Sequence, residues 1–210
     1  MATVAISRLI HPTSTGFAYA ARIGYEPEGV KHVYPAQIRG ISVDAFLSPA
    51  RTRDWLTETE AKALCELVPF PLLRLPPRVH NALWHHEYAV RTYYLDHRWT
   101  LVCTGLEALV HTDTVMNTAQ FTRRVPKLAS ELGISLSEAD ANDAYDLRCR
   151  LAHGVSFLST ATSQGASTSQ IQLYDRLEDT LRLAVLQGTR GKSFGDIFRN
   201  DDQIRDRWPI

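Results

Sequence analysis

Apolar residues in this chain recur every three to four positions over most of its length, and the first quarter is the exception. From Met1 to about Ala50 the sequence is rich in glycine, proline and β-branched residues, with short apolar pieces such as Phe17-Ala18-Tyr19 and Ile38 to Phe46. That texture predicts a small strand-and-loop segment over residues 1–54. After Trp55 it changes. Thr57-Glu58-Thr59-Glu60 has the spacing of a capping box, and Ala61, Leu64, Leu67 and Val68 follow at helical intervals, so a first helix is expected there.

Pro69, Pro71, Pro76 and Pro77 interrupt the pattern, after which Val79, Leu83, His86, Val90 and Tyr93 share one helical face. Trp99, Val102, Cys103, Leu106, Leu109 and Val110 keep the same period, and the pattern leaves open whether Asp96 separates two helices. Phe121, Val125, Leu128 and Leu132 predict a further helix ending at Gly133, in which Pro126 should mark a kink or the true start. Ser135 to Glu138 repeats the capping-box spacing ahead of a helix through Ala139, Ala144, Leu147 and Leu151 that Gly154 can end. Residues Ser156 to Gln170 are dense in Ser, Thr and Gly and predict a mobile loop before a last helix through Ile171, Tyr174, Leu177, Leu181 and Val185. The fold class expected is therefore mainly α. It is an antiparallel helical bundle over residues 55–210, ending in a C-terminal tail and preceded by the extended segment.

Composition narrows what such a bundle can do. With 210 residues, 44% of them hydrophobic, the chain can bury one full core. Lysine plus arginine equals aspartate plus glutamate at 23 each, so no global field draws it toward nucleic acid, and any RNA contact must be local. The three cysteines, Cys65, Cys103 and Cys149, have no CxxC spacing, which argues against a disulfide framework or structural zinc and fits a reducing compartment. Met1 to Arg8 lacks the pattern of a signal peptide, and the most apolar window, Trp99 to Val110, is short and carries Glu107. The expectation is a cytoplasmic protein without a membrane span.

One constellation carries chemistry. Arg148 and His153 stand with four residues between them in Tyr145-Asp146-Leu147-Arg148-Cys149-Arg150-Leu151-Ala152-His153-Gly154, near the end of a predicted helix, while an upstream helix carries Thr104-Gly105-Leu106-Glu107-Ala108-Leu109. The spacing alone is a weak signal. RNA cleavage without a metal needs a group that moves protons near neutral pH and a fixed cation for charge developing on phosphate, and histidine and arginine supply these. Five positions apart on a helix, the two side chains project about 140° from each other, so a long arginine must reach back toward the imidazole.

Over roughly Trp55 to Gly188 the two stretches resemble the Apea-like HEPN family, in which a leucine-glutamate-alanine-leucine helix lies beside a helix ending in arginine, four residues, histidine and glycine. The resemblance implies a HEPN-type bundle and a homodimer whose paired arginine–histidine sets face one cleft. It also implies a metal-independent ribonuclease without cofactor, in prokaryotic stress or phage defence, with an antitoxin or other protein as a further partner. By that resemblance His153 is the general acid/base on the ribose 2′-hydroxyl, Arg148 the phosphate clamp, and Glu107 the carboxylate that orients one of them. The product would be a 2′,3′-cyclic phosphate. Tyr145, Asp146 and Cys149 adjoin the site. Active relatives carry a polar residue after the arginine where this chain has Cys149, whose thiol is spaced to meet His153 or to be a small buried hydrophobe. The alternative is a non-catalytic HEPN module that binds RNA or a protein.

Arg123, Arg124 and Lys127 form a basic cluster that, with Arg150, is a candidate RNA-backbone contact or else a solvated helix face. Tyr88, Tyr93, Tyr94 and Trp99 are candidates for base stacking, core packing or a dimer seam. Two apparent motifs fail. Gly188-Thr189-Arg190-Gly191-Lys192-Ser193 lacks the first P-loop glycine, where Leu186 stands, and follows a helix. His85-His86-Glu87 has Val90 where a zinc protease needs its second histidine, so no metal site is expected.

Overall fold

The computed structural model describes residues 2–13, 19–20, 23–25, 31–33, 39–40, 56–67, 75–155, 167–190 and 192–210. Helix dominates them. Among the described residues nine α-helices run α1 (Ala2–Ile10), α2 (Glu58–Leu67), α3 (Pro77–Arg91), α4 (Leu95–Val110), α5 (Asn117–Glu131), α6 (Glu138–Ala152), α7 (Thr168–Arg190), α8 (Lys192–Ile197) and α9 (Asp201–Arg207). The short strands among the described residues pair antiparallel, Tyr19–Ala20 with Arg39–Gly40 and Ile23–Tyr25 with Lys31–Val33.

The start of the chain corrects the expectation of strand and loop, because Ala2–Ile10 is helix and belongs to the core. Ala5, Ile6 and Leu9 are buried at helical spacing, and so is Arg8, which is fully covered and meets Glu87 of α3 at 2.7 Å. Arg182 of α7 donates to the carbonyls of Leu9 and Ile10, capping the C-terminal end of α1 with a cation. Beside this lies His86 of α3, whose Nε2 is 2.7 Å from Glu178 of α7, with both side chains buried. Three helices are thus joined through buried polar contacts in the interior, where a polar group left without its partner would be costly.

Local signals set most helix ends. Thr57 and Glu60 exchange bonds as a capping box at the start of α2. At the start of α6 the box is Ser137 with Asp140, two residues beyond the expected Ser135–Glu138. Arg176 of α7 adds bonds to both carboxylate oxygens of Asp140. Helices α5 and α6 both end in a Schellman turn: Gly133 (φ 76) and Gly154 (φ 86) take the left-handed position while Ile134 bonds back to Ala129 and Val155 to Arg150. Pro126 neither starts nor divides α5, which runs through it at the loss of one backbone donor. The break between α3 and α4 comes at Thr92 to Tyr94, ahead of Asp96. Helix α7 begins at Thr168, inside the stretch expected as loop, and residues 156–166 of that stretch lie outside the described residues.

Cross-contacts give the directions. Arg78 reaches Ala108 and His111 while a Cβ on Gly105 would meet His85, so α3 and α4 are antiparallel. Trp99 Nε1 donates to Ala144 O and Arg148 meets Glu107, so α4 and α6, separated in sequence by α5, run parallel. Gly105 and Gly188 admit close packing, since an added Cβ would come within 2.7 Å of Leu181 and 2.8 Å of Val79.

The C-terminal tail is a structural layer. Phe198, Ile204 and Trp208 are buried, and Trp208 carries its indole N–H to Glu131 at 3.0 Å, where Arg207 also binds. Its carbonyl accepts from Arg124 Nε at 2.9 Å. Arg124 Nη1 donates to Val110 O, Thr112 Oγ1 and Gln120 Oε1, and only 1% of the residue is exposed. This removes Arg124 from the candidate RNA contacts: every nitrogen aimed at an acceptor here is aimed inward. Replacing it tests the assignment. Arg124→Met is expected to lose about 3 kcal/mol in urea unfolding, because the carbonyls of Val110 and Trp208 remain buried without their charged donor. The exposed neighbour Arg123→Met should stay within about 0.5 kcal/mol.

Candidate functional site

Glu107 and Arg148 come together through the parallel packing of α4 and α6, whose register is also fixed by the Trp99–Ala144 bond, about two turns earlier on α4 and one turn earlier on α6. Arg148 Nη2 is 3.0 Å from Glu107 Oε2, and the two side chains are 26% and 13% exposed. Tyr145, one turn before Arg148, is buried, donates its hydroxyl to the same carboxylate and lies under the guanidinium at 5.7 Å. Burial pushes the Glu107 carboxyl above the ordinary range, and Arg148 and Tyr145 oppose that rise. For Arg148 burial disfavours the charge, but Glu107, Cys149 and Tyr145 together outweigh it, so the guanidinium stays a fixed cation. Its Nε is buried without a hydrogen-bond partner.

His153 is the C-cap of α6, one turn beyond Arg148 and exposed. Among the described residues its ring makes no hydrogen bond or ion pair. The other candidates scatter. Cys149, Asp146 and Arg150 line a groove of about 690 Å³ between α6 and α7, together with Asp140, Asp143 and Arg176, whereas Glu107, Tyr145, Arg148 and His153 do not. Lys127 bonds to the Pro209 carbonyl, which leaves Arg123 exposed on α5 and Arg150 exposed on α6. A continuous basic rim does not form from these four residues.

The aromatic region divides likewise. Tyr88, Tyr93 and Tyr94 are exposed, but Trp99 is core and is not available to stack on a base. Cys103 is buried too, and burial pushes its thiol up. Among the described residues no group of three or more His, Cys, Asp or Glu could hold a metal ion, and no helix is long and apolar enough to cross a membrane.

The sequence reading passed over His111, which caps the C-terminus of α4 one turn beyond Glu107. Spacing i, i+4 was the signal that could have found it. Arg78 binds the carbonyls of Ala108 and His111 and Arg124 that of Val110, so guanidiniums from α3 and α5 gather at this helix end, as its negative dipole favours. The imidazole is partly buried with Nε2 unpaired. Burial first, then the charges of Arg124, Arg148 and Arg78, against a smaller pull from Asp113, lower it to about 4.

Comparison with known proteins supplies no relative: no family model matches the chain, and no curated protein or solved structure does.

The His111 environment has a thermodynamic consequence. With a folded value near 4 and an unfolded value near 6.5, the unfolded chain binds the extra proton between them. Stability contributed by neutral His111 is complete above pH 6.5 and declines as pH falls toward 4. Urea unfolding at pH 7 and pH 4.5 should show His111→Gln losing about 2 kcal/mol less than the wild type over that interval.

Proposed function

We propose that this chain is a HEPN-type ribonuclease that cleaves RNA without a metal, with Arg148 as phosphate clamp and His153 as general acid/base. The observation that carries the reading is the Glu107–Arg148 pair at 3.0 Å across two parallel helices, with Tyr145 beneath it and His153 one turn further along. A carboxylate and a phenol that hold an arginine in place lower the entropy lost when it engages phosphate. Guanidinium has five N–H donors, so one bond to Glu107 leaves others for a phosphate oxygen. The exposed imidazole supplies the proton-moving group within reach of the same helix end.

A second copy of the chain belongs to this reading. About 140° separates Arg148 from His153 around α6, and a two-fold symmetric pair relaxes that demand by letting one chain's arginine serve the other's histidine. The cellular setting proposed is prokaryotic stress or phage defence, with an antitoxin or similar partner restraining the activity. A non-catalytic module for RNA or protein is the rival, favoured by Cys149 beside Arg148 and by the acidic row Asp140, Asp143 and Asp146 on the adjacent face of α6.

Labelled single-stranded RNA incubated in EDTA is the test. Fragments ending in 2′,3′-cyclic phosphate are expected from the wild type, with a loss of about 10²-fold or more in His153→Ala and in Arg148→Ala. Uncleaved RNA across varied sequences would discard the enzyme. Retained binding in that case would leave the module.

A further inference from the structure

Between α4 and α5 the chain makes a turn that breaks two local rules. Met116 holds a left-handed backbone, φ 55 and ψ 32, which favours glycine, and it is the N-cap of α5 although its side chain caps no N–H there. The methionine serves no core: residues 113–118 are all exposed, Val115 at 64% and Met116 at 63%. The turn is nonetheless tied down. Gln120, which is fully buried, accepts from the Thr112 N–H at 2.8 Å and donates to the Val115 carbonyl at 2.7 Å and to Asp113 Oδ1 at 3.0 Å. The Val115 N–H donates to the same carboxylate oxygen. Strain kept at the expense of the chain's own stability, in a turn ordered in advance, is the pattern of a contact surface.

This turn adjoins the candidate site. Phe121 of α5 packs its ring on Tyr145 of α6, centroids 5.1 Å apart, and Tyr145 is the residue beneath the Arg148 guanidinium. A short connection makes α5 and α6 antiparallel neighbours, so five residues back from Phe121 and five forward from Tyr145 lead to one level, about 7.5 Å past the ring pair. Met116 is therefore level with Arg150, between Arg148 and His153 along the axis of α6. Resting on the ribonuclease reading, which needs a second chain to bring a histidine to each arginine, we propose that the Val115–Met116 tip is the contact through which a second copy of this chain seats across the site.

The chemistry of the tip selects this occupant. A two-fold contact sets one patch against its own image, so the patch must be complementary to itself. An apolar tip meets that condition, whereas a charged one repels its copy. The single carboxylate of the turn, Asp113, is engaged by Gln120 and the Val115 N–H and is offset by Arg124 behind it, so two tips can meet without opposed charges. RNA suits the tip poorly, since residues 112–118 carry no cation for phosphate and no ring for a base. Four side chains, two from each copy, cover less than the ~1,200 Å² at which stable interfaces begin, so the pair is expected to be weak and to depend on concentration.

Sedimentation of the full chain over a concentration series, with thermal melting and RNA cleavage on the same samples, decides it. The wild type is expected to pair reversibly. Met116→Gly suits the left-handed N-cap, so it should melt about 2–4 °C higher and yet pair about 10-fold more weakly or worse. Val115→Thr, nearly the same shape with a hydroxyl, should weaken pairing in the same direction. A gain in stability together with a loss of association is not what a merely structural residue gives. Mixed Arg148→Ala and His153→Ala chains should recover cleavage that neither shows alone, and lose it again when both also carry Met116→Gly. A wild type that is monomeric throughout, or a Met116→Gly chain that pairs as the wild type does, would overturn this inference; in the second case, a loss of RNA binding would assign the tip to RNA. A wild type that pairs through Met116 and cleaves no RNA would overturn the ribonuclease reading alone.

Discussion

The C-terminal end of α4 is the point on which this structure turns. A helix end presents carbonyls that have no partner within the helix, and burial makes each of them costly. Here guanidiniums satisfy them: Arg78 from α3 on Ala108 and His111, and Arg124 from α5 on Val110. Each of these arginines also holds the C-terminal layer, Arg78 through Asp201 and Arg124 through the carbonyl of Trp208. The same cations set the electrostatics around His111 and lie near the Glu107–Arg148 pair. Packing and site chemistry therefore share one group of residues, and the proposed function inherits its geometry from the way a buried helix end is capped.

A second polar set secures the opposite side. Arg8 with Glu87, His86 with Glu178, and Arg182 on the end of α1 join α1, α3 and α7 inside the apolar core. Apolar side chains alone would tolerate small slips between these helices, whereas buried polar contacts penalise any register that separates them. The consequence for the site is indirect. With α3 fixed against α7, Arg78 at the start of α3 is fixed against the end of α4.

Helical periodicity made α2 to α7 legible, because each buries one face whose spacing is visible in the chain. The same logic failed where polar residues are inside. Arg8 hides the amphipathic character of Ala2–Ile10, and its partner Glu87 is 79 residues away. Arg123, Arg124 and Lys127 read as one solvated patch, yet Arg124 is covered by a C-terminal layer whose short helices leave little periodic signal. At the start of α6 two overlapping capping-box spacings compete, and Ser137 wins over Ser135 because Arg176 of α7 also binds Asp140. For the candidate site, Glu107 and Arg148 were legible as residues, while their contact depends on the parallel packing of α4 and α6. His111 was passed over, although its spacing from Glu107 was in view, because its neighbours Arg78 and Arg124 come from other helices.

The proposed function puts RNA at the shared end of α4 and α6, rather than on the exposed tyrosines Tyr88, Tyr93 and Tyr94 or in the groove between α6 and α7 with its row of aspartates. Backbone amide chemical shifts of the ¹⁵N-labelled protein, followed as a non-cleavable 2′-deoxy oligonucleotide is added, separate them most directly. Shifts concentrated in residues 107–113 and 148–155 are the expected result. Shifts confined to the tyrosines or the groove, or none at all, would contradict the account.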